Sequence, residues 1–61
     1  MIVLNEIVEE GVRRLELYAD NVASVSSIPD LGSGAEVQTI DNRRFHVLES
    51  VADVFCLLED E

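Results

Sequence analysis

The chain has 61 residues, with 13 acidic side chains against four basic ones, all arginine, and a formal net charge of −9. Lys and Arg supply most of the affinity for nucleic-acid phosphates and for anionic membrane surfaces, so this balance argues against both as direct partners. A protein partner with a basic surface stays open.

The single Cys excludes an internal disulfide, and one His with one Cys cannot supply the four ligands of a usual zinc site. We therefore expect no metal and no cofactor. A domain of this size is marginally stable alone. We therefore expect the fold to be stabilised by homo-oligomer formation or by association with a larger partner.

The chain is expected to form a single domain over residues 1–61. No apolar run approaches the roughly 20 residues that cross a bilayer. The opening "MIVLNEIVEEG" lacks the basic segment of a signal peptide. Together with a free Cys, these features predict a cytoplasmic protein.

The first 18 residues predict a β-hairpin. The opening strand is apolar on both faces, so we expect one face in the core and part of the other covered by the helix or by another chain. The stretch "EEGV" is a turn candidate, with Gly11 able to take a positive φ. "VRRLELY" then alternates as a second strand.

A third strand is expected after a bend at Asp20 and Asn21, whose side chains can bond the nearby backbone. Strict alternation along "VASVSSI" places Val22 and Val25 on opposite faces. Pro29 ends this run, and "PDLGSGAE" is the clearest loop of the chain.

The second half predicts a hairpin followed by a helix. Two strand-like runs flank Asp41 and Asn42, which tolerate the left-handed conformation of a type I′ turn. The periodicity then changes at Ser50, which can cap a helix over about residues 50–59, with Asp53 returning the bond.

The predicted fold is therefore α+β, a small curved antiparallel sheet of four to five strands with one C-terminal helix. The exposed part of the first strand, or the helix flank at Cys56 and Leu57, is expected to form the homo-oligomer interface. The predicted core comprises Leu4, Leu15, Leu17, Val25, Val37, Phe45, Val47, Val51, Val54, Phe55 and Leu58.

Catalytic chemistry is not predicted. His46 stands on a strand without a neighbouring nucleophile pattern, and Cys56 lies between two apolar residues, which favours an inert thiol. "LGSG" is not followed by the Lys of a phosphate-binding loop. We expect a protein that is not an enzyme.

Two sets of charged residues are the candidate binding positions. The arginines occur as two adjacent pairs, which can form ion pairs or bind a small anion. The acids are spread along the chain and either keep the protein in solution or bind a basic partner. The candidates are Arg13, Arg14, Arg43, Arg44, Glu9, Glu10, Glu59, Asp60 and Glu61.

Two stretches, "LYADNVASVSSIPD" and "EVQTIDNRRFHVLESVADV", resemble the small FlbD/SwrD-type proteins of bacterial flagella and swarming. The likeness covers roughly residues 12–58, and the chain departs from it in lacking a Pro near Asp20. The resemblance implies a non-enzymatic motility accessory with no catalytic residues. The matching positions are Val37, Thr39, Asn42, Arg44, Val47, Glu49, Ser50, Val51, Asp53 and Val54.

Three functional hypotheses follow. The first is a protein-binding accessory of the flagellar type, acting as a homo-oligomer. The second is a phage or mobile-element inhibitor whose acidic surface mimics nucleic acid and blocks a host protein. The third is an oligomeric binder of a small anionic metabolite through the arginine pairs.

Overall fold

The computed structural model describes residues 1–28 and 34–60 and shows a five-stranded antiparallel sheet with one C-terminal helix. This confirms the predicted α+β class. Residues 29–33, within the predicted loop, and Glu61 lie outside the described residues. The elements are β1 (Ile2–Val8), β2 (Gly11–Leu17), a 3-10 turn (Ala19–Asn21), β3 (Val22–Ser27), β4 (Ala35–Thr39), β5 (Arg44–Val47) and α1 (Val51–Glu59).

The sheet has the strand order β2-β1-β5-β4-β3, so β2 and β3 are its two edges. It joins the β1–β2 hairpin to a β3–β4–β5 meander through pairing of β1 with β5. Glu6 lies opposite Val47 at this seam, and the Leu48 N–H donates to the Asn5 carbonyl at 2.8 Å. Residues more than 40 positions apart therefore close the sheet.

The core lies between one face of the sheet and α1. Its fully buried large side chains are Leu4, Val37, Val47 and Val54. All four belong to the predicted core. The helix packs on this inner face, and Val3 on the outer face is 43% exposed. Of the two expected covers of the outer face, the helix does not reach Val3, while cover by another chain stays a prediction.

Six further predicted core residues are half-buried and pack around this centre, and two buried hydrophobic residues, Ile2 and Ala35, were not predicted. The six are Leu15, Leu17, Val25, Phe45, Val51 and Leu58.

The helix is rotated relative to its predicted orientation. Phe55 is 47% exposed, so its assignment to the core is wrong, while Leu57 packs against the core beside Leu58. Either residue extends the apolar stripe of Val51, Val54 and Leu58 by one neighbouring position on the helix surface. The way in which α1 lies on the sheet decides between them.

The face assignment of β3 also differs from strict alternation. The register shifts between Val22 and Ser24, so Ala23 is an extra residue in the strand. This β-bulge turns Val22 and Val25 to the same inner face, where both pack against the core. Their predicted placement on opposite faces is wrong for that reason.

The turn between β4 and β5 is not the predicted type I′. Only Asn42 has a positive φ, 69°, among the non-glycine residues that the structure describes. Asn42 N–H donates to the Thr39 carbonyl at 3.0 Å, and Thr39 N–H donates to the Arg43 carbonyl at 2.9 Å. This is a three-residue connection, in which a type I turn is followed by one left-handed residue.

Local capping by Ser50 fixes the start of the helix as predicted, but the return bond from the Asp53 side chain to the Ser50 N–H is absent among the described residues. Ser50 is the N-cap, and its hydroxyl oxygen accepts the Asp53 N–H at 3.1 Å. The described residues include no helix long and apolar enough to cross a membrane.

Candidate protein-interaction surfaces

His46, Glu49 and Cys56 do not converge on a chemical site. The Glu49 carboxylate accepts the Asn5 N–H at 3.0 Å and the Asn5 side-chain amide at 2.9 Å, which gives it a structural role. Cys56 is exposed on α1. Among the described residues, no three His, Cys, Asp or Glu side chains are grouped as metal ligands. That the protein is not an enzyme stays a prediction.

The first arginine pair is divided between the two faces of β2. Arg13 faces inward, opposite Glu6, and its Nε lies 2.8 Å from the Glu6 carboxylate. This hydrogen bond and the charge of Glu6 raise the pKa of Arg13. Arg14 faces outward, and its Nε lies 2.8 Å from Glu16 on the same strand. The two guanidinium groups therefore have separate acidic partners.

The second pair is divided in a similar way. Arg43 lies in the β4–β5 turn, with its Nε 3.5 Å from Asp41. Arg44 begins β5 on the outer face, opposite Gln38. Within the part of the chain that the structure describes, Arg44 has no acidic partner within 4.0 Å, so it is the one arginine left for an external anion.

The Asp41 carboxylate is held by several interactions within the β4–β5 turn. The Thr39 hydroxyl donates to it, and this hydrogen bond, reinforced by backbone N–H groups and by the charge of Arg43, lowers the pKa of Asp41. The group borders a shallow depression of about 290 Å³ whose apolar side includes Leu17 and Phe45. These bonds all lie within the turn and point to turn stability.

Two adjacent acids lie at the C-terminal end of α1 without a basic partner within residues 1–28 and 34–60. Glu59 and Asp60 are exposed there, and the last turn has no basic residue. The carbonyl end of a helix carries partial negative charge, so each exposed acid adds about 0.3–1 kcal/mol of unfavourable energy. No arginine among the described residues forms an ion pair with Glu59 or Asp60.

This helix end borders a depression of about 350 Å³ between α1 and the 3-10 turn. Leu58 forms one side, and Tyr18, Ala19 and Asp20 form the other. Tyr18 is 64% exposed and offers an aromatic face, while Asp20 adds a third exposed carboxylate. We call Tyr18, Asp20, Leu58, Glu59 and Asp60 the acidic helix end.

The predicted acidic residues do not form one surface. Glu9 and Glu10 make the turn between β1 and β2, whereas Tyr18 follows the opposite end of β2. Seven strand residues separate the two sites, which is about 20 Å. Glu61, the last of the predicted set, is outside the described residues.

Sequence reasoning did not find the edge position of β2. Val12 on its outer face is 52% exposed, and Tyr18, which directly follows the strand, is 64% exposed. Alternation in "VRRLELY" gives the face of each residue, but only the strand order shows that no neighbour covers this strand. The sheet topology thus identifies β2 as an edge strand that another chain can reach.

Comparison of the chain with protein-family models, curated proteins and solved structures finds no match. The resemblance to FlbD/SwrD-type proteins stays a prediction.

Proposed function

We propose that the chain is a non-enzymatic protein-binding module that works as a homo-oligomer and binds a basic segment of its partner at the acidic helix end. The observation that carries the proposal is the contrast in charge compensation. Arg13, Arg14 and Arg43 have acidic partners within this chain, whereas Glu59 and Asp60 have no basic neighbour in the last helical turn.

Electrostatics and shape both favour a cationic ligand at this position. An Arg or Lys side chain there would relieve the repulsion between the acids and the carbonyl end of α1. The exposed ring of Tyr18 can stack on a guanidinium group, and the depression beside Leu58 can take its aliphatic part. The expected class is an Arg-rich peptide segment.

A motility accessory of the FlbD/SwrD type remains the proposed biological setting, on the strength of the sequence resemblance, with a cytoplasmic location. Mimicry of nucleic acid is the second candidate, because exposed acids also lie at the opposite end of the sheet, at Glu9 and Glu10. An anion site at the arginine pairs has less support, since three of the four guanidinium groups are engaged.

The test uses a short Arg-rich peptide and two matched variants. The helix-end variant is Glu59→Gln with Asp60→Asn, and the turn variant is Glu9→Gln with Glu10→Gln. Each removes two negative charges. We expect the helix-end variant alone to lose most of its affinity for the peptide, measured by NMR titration. Binding should weaken as NaCl rises from about 50 to about 500 mM.

Equal losses in the two variants would favour mimicry, because a mimic of a phosphate backbone uses acids along its whole length. Unchanged affinity in the helix-end variant would contradict the proposed site. Native mass spectrometry of the protein purified from its host then identifies the natural partner. If the purified protein carries a small bound molecule and no macromolecular partner, the anion site at the arginine pairs becomes the favoured hypothesis.

A further inference from the structure

The two edges of the sheet are built differently. β3 carries a β-bulge between Val22 and Ser24 and contains no charged residue, while β2 pairs with β1 without interruption over seven residues. Bulges make an edge unsuitable for further pairing, whereas a long regular edge strand is a template for another strand. β2 is the edge that can extend the sheet.

The pairing of β2 with β1 fixes which of its backbone groups face outward. The two-residue turn makes Val8 and Gly11 a hydrogen-bonded pair, and such pairs alternate along an antiparallel ladder. The odd-numbered residues of β2 therefore bond to β1. Val12, Arg14 and Glu16 direct their N–H and C=O groups away from the sheet, where another strand can take them.

The side chains of β2 match a second copy of the same strand. In an antiparallel two-fold arrangement centred on Leu15, Arg14 lies opposite Glu16 of the second copy. This pair occurs twice because the interface is symmetric. Moving the axis by one residue places Arg14 opposite Arg14, or Glu16 opposite Glu16, and like charges directly opposite are destabilising.

We propose that two copies of this chain join through their β2 strands, with the two-fold axis at Leu15, to form a continuous ten-stranded antiparallel sheet. This specifies the oligomer that the proposed function assumes. Arg14 and Glu16 of the two copies form a four-membered charge network on the outer face. The acidic helix end of each copy begins at Tyr18, directly after the paired strand.

Local charge also favours this edge. β2 holds two of the four arginines and one acid, so its charge is opposite in sign to that of the whole chain. The inward-facing Arg13 is already compensated by Glu6. Within β2 itself the pairing therefore brings no unpaired acids together, although beyond the paired residues Glu10 of one copy lies opposite Asp20 of the other.

The first experiment measures self-association by sedimentation over a concentration range up to about 100 μM, in wild type and charge-reversal variants. Arg14→Glu and Glu16→Arg each place like charges opposite each other at two positions. Each should weaken dimerisation by roughly tenfold or more. The double variant Arg14→Glu/Glu16→Arg restores both pairs and should recover the wild-type affinity.

Arg44→Glu is the matched control, because Arg44 is exposed on the outer face of β5, away from the edge. It should leave dimerisation unchanged. The side chains of Arg14 and Glu16 are 70% and 44% exposed, so their reversal should preserve the fold, as circular dichroism would verify. A monomeric wild type, or a double variant no better than the single ones, would overturn the proposal.

Cross-linking tests the register independently. In a Cys56→Ser background, Leu15→Cys places two thiols across the proposed axis at a spacing that a disulfide can bridge. Oxidation should yield a disulfide-linked dimer for Leu15→Cys and none for Arg14→Cys. The reverse pattern would move the axis to Arg14 and overturn the proposed register.

Binding of the Arg-rich peptide by Arg14→Glu separates the two proposals. If the helix end alone binds the peptide, the dissociated variant keeps its affinity per chain. Loss of dimerisation with retained peptide binding then identifies β2 as the self-association surface. Loss of peptide binding in a folded, monomeric variant would contradict the independence of the two sites.

Discussion

At the scale of single residues, the hydrogen bond from Thr39 lowers the pKa of the Asp41 carboxyl group. The Thr39 hydroxyl is the main cause of the lowered pKa of Asp41, ahead of the charge of Arg43. A carboxyl group whose pKa is lower in the folded than in the unfolded state stabilises the fold above its unfolded pKa, about 4. That stability is lost as the pH falls through the folded pKa.

Replacement of the Thr39 hydroxyl should therefore raise the pKa of Asp41 toward its ordinary value. Thr39→Val keeps the shape of the buried side chain and removes the donor, while Thr39→Ser keeps the donor as a control. NMR titration of the Asp41 carboxyl group measures both. The interpretation is wrong if Asp41 titrates alike in the Val variant and in wild type.

For Glu6, the sequence predicts the face of the sheet on which the side chain lies but not its ion-pair partner. Alternation from Ile2 and Leu4 places Glu6 on the inner face, and it is 8% exposed there. A buried carboxylate is tolerated only with a partner. The partner, Arg13, comes from the neighbouring strand through the register of the hairpin.

At the scale of the elements, two glycines have left-handed φ values but different surroundings. Gly34 has φ +90°, and a Cβ there would lie 2.6 Å from the Val47 carbonyl oxygen. Gly11 has φ +139°, with no atom within 4 Å of such a Cβ. Gly34 thus allows β4 to begin close to the end of β5, whereas Gly11 serves only the turn.

Gly34→Ala should cost more stability than Gly11→Ala. Both variants carry backbone strain of about 1–3 kcal/mol, and Gly34→Ala adds about 1–3 kcal/mol for the steric clash. Proteins of 61 residues typically have a free energy of unfolding of about 3–9 kcal/mol, so a difference of this size would be large. Urea unfolding of both variants measures it. Equal losses would show that the Val47 carbonyl moves aside without cost.

At the scale of the whole molecule, the sheet is closed where β1 of the β1–β2 hairpin pairs with β5 of the β3–β4–β5 meander. Glu49 accepts both bonds from Asn5 and thereby holds the segment between β5 and α1 against β1. Hydrogen bonds to a charged group contribute about 1.5–3 kcal/mol each at most, and less when exposed to water. This local contact therefore supports the closure of the entire sheet.

Glu49→Ala should destabilise the protein by about 1–3 kcal/mol and speed hydrogen exchange at Asn5 and Leu48, on the two sides of the seam. Glu36→Ala is the control. Glu36 is a half-buried acid of β4 whose side chain forms no hydrogen bond or ion pair among the described residues. If the Glu49→Ala protein is as stable as this control, Glu49 does not stabilise the pairing of β1 with β5.

The sequence by itself determined the α+β class, the hairpins, the bend before β3 and the helix starting at Ser50. These features depend on alternation, turn chemistry and capping, which act over a few neighbouring residues. It also determined the surplus of acidic charge that motivates the proposed function.

Only the tertiary structure decided the rotation of α1, the bulge that turns Val22 inward, the separation of the acids into two sites and the edge position of β2. Each depends on pairing or packing between segments far apart in the chain, and several such arrangements are compatible with the same local pattern. Exposure of Phe55 in place of Leu57 is one example. The candidate surfaces follow from these long-range contacts, so they became visible only in the folded chain.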